Sequence, residues 1–293
     1  MNEYEKHCAM IAFDLALTRA PSEMPATMWK YIKKIFIRLD EKNLIDYYSK
    51  QFASKGIQFR LLDGAVYIHS KEALNYIKEH LDLYEPELMC DENFHKFVKY
   101  IKKWEDIPKY RMDKEETVKI GSNEYKCYRI VANKDIPALK ASKCGYQLIK
   151  KGTPGGCIKS ENNLSHTGFC WLNDESCILN KARLEGNSYL HQSKLYGHAK
   201  IEGYSRIVFS TVCQNVNIKG NNDIRSSKIT GNVMIQDTVS ISASNIFDNV
   251  EIFGNSYLRA CNISENIWIE NADIHDVNIK GNQKIKGENF DEI

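Results

Sequence analysis

The sequence predicts an α+β chain in which an N-terminal α-rich domain is followed by a three-sided β-helix of about six to seven coils. Two observations carry this expectation. From Leu184 onward, aliphatic residues recur at steps of 6, 5 and 6 for five consecutive periods, a unit of 17 residues. Residues 1–120 instead show helical periodicity punctuated by prolines. The expected divisions are 1–120, α-rich with a β-hairpin; 121–171, a β-rich leader or cap; and 172–293, the β-helix.

Taken in order, residues 3–18 are rich in Ala, Met, Ile and Leu and read as an apolar helix, closed by Pro21 and Pro25. Thr27 is a good N-cap for TMWKYIKKIFIRL, in which Trp29, Ile32, Ile35, Phe36 and Leu39 share one face. A helix is expected around Leu44–Phe52. IQFRLLDGAVYIH alternates about Asp63-Gly64, the dipeptide of a tight hairpin. Further helices are expected over Lys71–Leu83 and Glu92–Trp104.

The ruler of the C-terminal half runs Leu184, Leu190, Leu195, then Ile201, Ile207, Val212, then Ile218, Ile224, Ile229, and continues through Ile235, Ile241, Ile246 to Ile252, Leu258, Ile263. After Ile269 it loses a residue and passes Ile274 and Ile279 to Ile285. A helix repeats at about 3.6 residues and a strand at about 2, so neither explains such steps. A coil with one short strand and one corner per step does. Two places before the aliphatics sit smaller residues, among them Ala182, Ser188, Ala199, Ser205, Val216, Val233, Ser244 and Cys261. On a strand both point inward, large beside small, which fills a narrow triangular interior. Two places after come Gly186, Gly197, Gly203, Gly220, Gly231, Asp237, Asp248, Gly254, Asn271 and Gly281, residues that tolerate positive φ and turn the corner.

The run GTPGGCIKSENNLSHTGFCWL, Gly152 to Leu172, has the residue types of an active site. Yet its glycines lack the GK[ST] ending of a phosphate loop, and a turn or cap outweighs phosphate binding. Cys170 and Cys261 fall in the small inward slot, so packed thiols outweigh zinc ligands, and no metal or cofactor is expected. Ile178 and Leu172 continue the ruler backwards, whereas Leu164 does not, so the first coil is expected to form within this run.

The repeat resembles the hexapeptide-repeat, left-handed β-helix family, although one side of each coil here has five residues and the turn glycine falls one place later. Left-handedness is what this resemblance implies. The segment from Tyr125 through GGCIKSENNLSHTGFCW, Gly155 to Trp171, is similar to the leader that precedes such repeats in a group of phage and prophage proteins, where a wording like GGxIxSExNLSxxGxCW recurs. The resemblance covers roughly Tyr125 to the C-terminus. It implies a β-helix of mobile-element origin and raises the expectation of an accessory protein acting on a host macromolecule, such as a defence system.

Composition bounds the function. With 43% hydrophobic and 27% charged residues the chain is neither disordered nor collagen-like. No apolar run approaches the ~18 residues of a membrane span, and MNEYEKHCAM carries charge where a signal peptide is apolar, so a cytoplasmic protein without membrane partners is expected. Nine cysteines at irregular spacing, with no CxxC pair, read as reduced thiols. Residues 1–150 carry a net +4 and the remainder −2, far from the excess of a domain built on phosphate contacts.

Three functional readings follow. The first is a non-catalytic interaction protein whose partner is a host protein or complex, with a homo-oligomer through the β-helix as a further association. Its surfaces are the residues that alternation turns outward: Tyr189, His191, Arg206, Arg225, Tyr257 and Arg259 beside the second aliphatic of each coil, and Met234, Phe253 and Trp268 beside the first. The alternative is a divergent hexapeptide-repeat acyltransferase with His166 as general base near Glu161, although the coils lack the long loop that shapes an acyl-CoA site in that family. The third is a nucleic-acid-binding module using Lys96, Lys99 and Lys103, Lys30, Lys33 and Lys34, and the Arg225 and Arg259 ladder.

Overall fold

The computed structural model describes residues 1–16, 24–41, 50, 59–62, 65–68, 85–141, 146–287 and 289–290. The chain divides into two compact units, Met1–Ile107 with Gly145–Leu148, and Pro108–Cys144 with Ile149–Ile293. Among the described residues no helix is long and apolar enough to cross a membrane.

The first unit is helical. Helices α1 (Glu3–Ala16), α2 (Ala26–Glu41), α3 (Glu85–Met89) and α4 (Glu92–Glu105) enclose a core of Ile11, Leu15, Met28, Ile32, Ile35, Phe94, Phe97 and Ile101. Asp91 caps α4, its carboxylate accepting from the Asn93 and Phe94 amides at 2.6 and 3.0 Å. Buried Phe94, Phe97, Ile101 and Trp104 recur at helical spacing, which leaves Lys96, Lys99 and Lys103 on the exposed face. α2 starts one residue before the expected cap. The Pro25 carbonyl accepts from the Trp29 amide at 3.0 Å, so Thr27 lies in the first turn instead. Strands β1 (Phe59–Leu62) and β2 (Ala65–Ile68) pair antiparallel with Leu62 opposite Ala65, the register of a two-residue hairpin connection. The Asp63-Gly64 turn itself, the helix expected over Lys71–Leu83 and, Lys50 excepted, that around Leu44–Phe52 lie outside the described residues. α3 was not legible, being a single turn too short to show a period.

The second unit is a β-solenoid with three faces. The first face carries Leu184, Ile201, Ile218, Ile235, Ile252, Ile269 and Ile285 in parallel register. The second carries Leu172, Leu190, Ile207, Ile224, Ile241, Leu258 and Ile274. The third carries Ile158, Ile178, Leu195, Val212, Ile229, Ile246, Ile263 and Ile279, which counts eight coils. The sequence ruler had given six to seven. The first coil does form within the Gly-rich run, but it starts earlier than the ruler shows: Ile158 is a rung, and Leu164, which breaks the ruler, forms a parallel bridge to Leu184. The step from Leu164 to Leu172 is eight residues where the ruler has six, which hides its membership. The leader is therefore partly solenoid, and the hairpin preceding it begins at Tyr110, inside the span assigned to the α-rich domain.

Inward packing follows the large-and-small pattern. Every aliphatic rung above is buried, as are Ala182, Ser188, Ala199, Ser205, Val216, Val233, Ser244 and Cys261 in the small slots. All ten expected corner residues have positive φ, from +53° at Asn271 to +106° at Gly231. Glycine is required at Gly203, where a Cβ would lie 2.4 Å from the Gly220 carbonyl oxygen. The third-face slot holds a column of buried serines, Ser176, Ser193, Ser210, Ser227 and Ser244. Each hydroxyl accepts from the backbone amide of the next member at 3.0–3.2 Å, the last from Cys261. From Ser193 onward each donates to a carbonyl two residues back.

Strand β3 (Tyr110–Ile120) and strand β4 (Asn123–Ala132) form an antiparallel hairpin whose β4 pairs with Pro154–Ile158. The third-face edge of the first coil is thereby covered, which removes an open strand edge. Arg129 of β4 fixes it, binding both Glu116 carboxylate oxygens at 2.6 and 2.8 Å and donating to the carbonyls of Gly155 and Asp174.

Candidate interaction surfaces

The leader motif explains itself residue by residue as structure. A Cβ on Gly155 would meet the Trp171 ring at 2.7 Å, and one on Gly156 would meet the Ser176 carbonyl oxygen at 2.2 Å, so these glycines permit close packing. Asn163 is buried and uses both ends of its amide. Its oxygen accepts from the Lys159 and Ser160 amides at 3.0 and 2.8 Å, and its nitrogen donates to the carbonyls of Asn180 and Ala182 at 3.1 and 2.7 Å, which ties the first coil to the second. Gly168 has φ +65° and approaches Gly186. Phe169, Cys170 and Trp171 are buried.

His166 sits in the loop between Leu164 and Leu172. Its Nδ1 accepts from the Lys109 backbone amide at 3.1 Å, and its ring stacks on Tyr110 at 4.3 Å between centroids. Burial, and then the neighbouring charge of Lys109, holds its pKa below the usual histidine value despite an opposing effect of Glu161. The imidazole is thus neutral near pH 7 with its proton on Nε2, and the lone pair that a general base needs is already engaged. Glu161 lies exposed at the start of a short 3-10 turn, with its backbone carbonyl accepting from the Tyr110 hydroxyl.

The described thiols are all unpaired, and all but Cys90 are buried. Burial raises the Cys157 thiol well above its ordinary range and pushes Cys177 up to about 12, so these sulfurs stay protonated. Among the described residues no group of His, Cys, Asp and Glu side chains is arranged to hold a metal ion.

On the second face the outward residues form two ladders, Tyr189, Arg206, Asp223, Ser240, Tyr257 and Asp273, and His191, Val208, Arg225, Ser242, Arg259 and His275. Alternation made all of the selected residues exposed; the structure corrects this for two. Tyr189 is 3% and Arg206 8% exposed. Arg206 is drawn onto the sheet by Asp223 of the next coil at 2.8 Å, and Arg225 engages the same carboxylate at 2.9 Å. Asp223, which sequence reasoning passed over, lies one 17-residue period after Arg206 and was findable there. His191 and Arg225 are half-buried, whereas Tyr257 is 39% exposed and Arg259 is exposed too.

The most exposed aromatic among the described residues was also missed. Phe209 is 57% exposed, occupies the corner after Ile207 with φ +51°, and meets His191 edge-on at 5.5 Å. Its signal was weak, because the corner column it shares with Gln192, Ser226, Ala243, Ala260 and Asp276 is not one that the ruler marks with glycine. On the first face, Met234, Phe253 and Trp268 are half-buried and not fully exposed. Phe253 and Trp268 lie 6.2 Å apart, Lys284 sits over the indole at 4.1 Å, and Gln236 contacts the Met234 sulfur. At the corner between the third face and the first, Asn215, Asn232, Asn249, Asn266 and Asn282 join amide to amide in an exposed ladder that only the period reveals.

No protein-family model matches this sequence, and no curated protein matches it either.

Proposed function

We propose that the protein is a non-catalytic binding protein that presents the second face of a rigid solenoid to a host macromolecule, with Phe209, Arg225, Tyr257 and Arg259 as its contact residues. The observation that carries this reading is Phe209. A bulky side chain in the left-handed region is unfavourable by about 1–2 kcal/mol, and this one recovers little of that by burial. An exposed strained aromatic beside arginines and a tyrosine has the composition of an interface anchor. The occupied lone pair of His166 weighs against the acyltransferase reading. The leader resemblance adds a phage or prophage origin and, with it, interference with a host defence complex as the role.

The test is capture from host lysate by tagged wild-type protein and by Phe209→Asn, Arg259→Glu and Trp268→Asp variants of unchanged melting temperature. Loss of one defined partner with the two second-face variants and its retention with Trp268→Asp supports the reading. Equal capture by all variants overturns it. A rise in melting temperature with acyl-CoA would favour the enzyme, and binding that collapses between low and moderate salt would favour a nucleic-acid partner.

A further inference from the structure

Beneath the loop that carries His166, the side chains of Lys109 and Cys170 meet in the interior. Both are fully buried. The Lys109 Nζ lies 2.9 Å from the Cys170 Sγ and 3.4 Å from each of the carbonyl oxygens of Thr167 and Gly168. The other polar neighbours of the thiol, the carbonyls of Ser165, Thr167 and Leu184, stand farther off at 3.5–4.0 Å. The amine is therefore the thiol's closest polar neighbour. An N–S single bond would require far closer approach, whereas a single bridging atom spans close to the observed separation.

We propose that Lys109 and Cys170 form a reversible covalent N–O–S bridge under peroxide, a modification site that locks the start of the β3 hairpin onto the first coil. In the first step a peroxide oxygen transfers to Cys170, giving the sulfenic acid and one water. In the second, the Lys109 ammonium first gives up a proton to water, and then one N–H and the sulfenic O–H hydrogen are removed by a second peroxide. The N–O bond forms and two waters leave. Sulfur and nitrogen each lose two electrons, and each peroxide gains two. The expected access is past the segment Ser165–Gly168, whose Ser165 and Thr167 carbonyls adjoin the thiol and whose Thr167 is exposed.

Cys170→Ser is the clean control, because the equivalent slots of the next two coils are occupied by Ser188 and Ser205 and the solenoid accepts serine there. Full-length protein is treated with hydrogen peroxide, digested and mapped by mass spectrometry, before and after a phosphine reductant. The proposal predicts a cross-linked pair of peptides, missed by trypsin at Lys109, with one oxygen gained and two hydrogens lost, about 14 Da, reversed by the reductant and missing from Cys170→Ser. The unfolding midpoint should rise on oxidation in the wild type alone. A cross-link lacking oxygen, sulfinic or sulfonic acid on Cys170 with Lys109 free, or an unchanged Cys170 would each overturn it.

Discussion

Phe209, Gln192, Ser226, Ala243, Ala260 and Asp276 occupy one corner column, all with φ between +47° and +53°, and none is glycine. Small or polar members tolerate this geometry; Phe209 has least reason to be there on stability grounds. Phe209→Asn removes the bulky side chain from a left-handed backbone while keeping a residue that favours it. Its unfolding free energy is expected to match or exceed wild type, by up to about 1 kcal/mol in calorimetry. A clear loss of stability would mean that the ring is a packing element. At this scale the sequence was legible where one rule governed a position. The ten corner residues followed from the ruler alone, whereas the burial of Tyr189 and Arg206 depended on Asp223 one coil away, a contact that alternation does not encode.

At the scale of elements, the serine column and the β3–β4 hairpin hold the coils in register by opposite means, one buried and neutral, the other charged. Ser227→Ala leaves the buried Ser244 amide without its acceptor and should cost about 1–3 kcal/mol by denaturant unfolding, more than its loss of size warrants. In the hairpin, Arg129 holds the Glu116 carboxyl down to about 2, against an ordinary value of 4.5. A depressed folded pKa means that the ion pair stabilises fully above about pH 4.5 and is lost as pH falls towards 2. Glu116→Gln should therefore be less stable than wild type at pH 7, and the two unfolding midpoints should converge as pH drops through that window. Midpoints that stay equally separated at low pH would show that the pair contributes nothing through its charge. The hairpin edge was only partly legible. Its strands lacked a strict alternation, and their pairing with Pro154–Ile158 is a long-range contact that local pattern cannot supply.

For the molecule as a whole, the period of 17 sufficed to give three faces, the filled interior and the corners, because each coil repeats the same steric problem. It failed at the first coil, where Leu164 joins Leu184 despite an irregular step, and so the count fell short of eight. The candidate surface was legible as a set of outward positions, but not which of them neighbours would cover. With the interior occupied from Ile158 to Ile285, the proposed recognition falls to the outside. Loss of a central anchor at an interface typically weakens binding by 2 kcal/mol or more, roughly thirtyfold. The most direct measurement is the affinity of purified wild-type and Phe209→Asn protein for the captured host partner, by calorimetric titration at a temperature where both are folded. The account predicts at least a tenfold loss with no loss of stability. Equal affinity would contradict it.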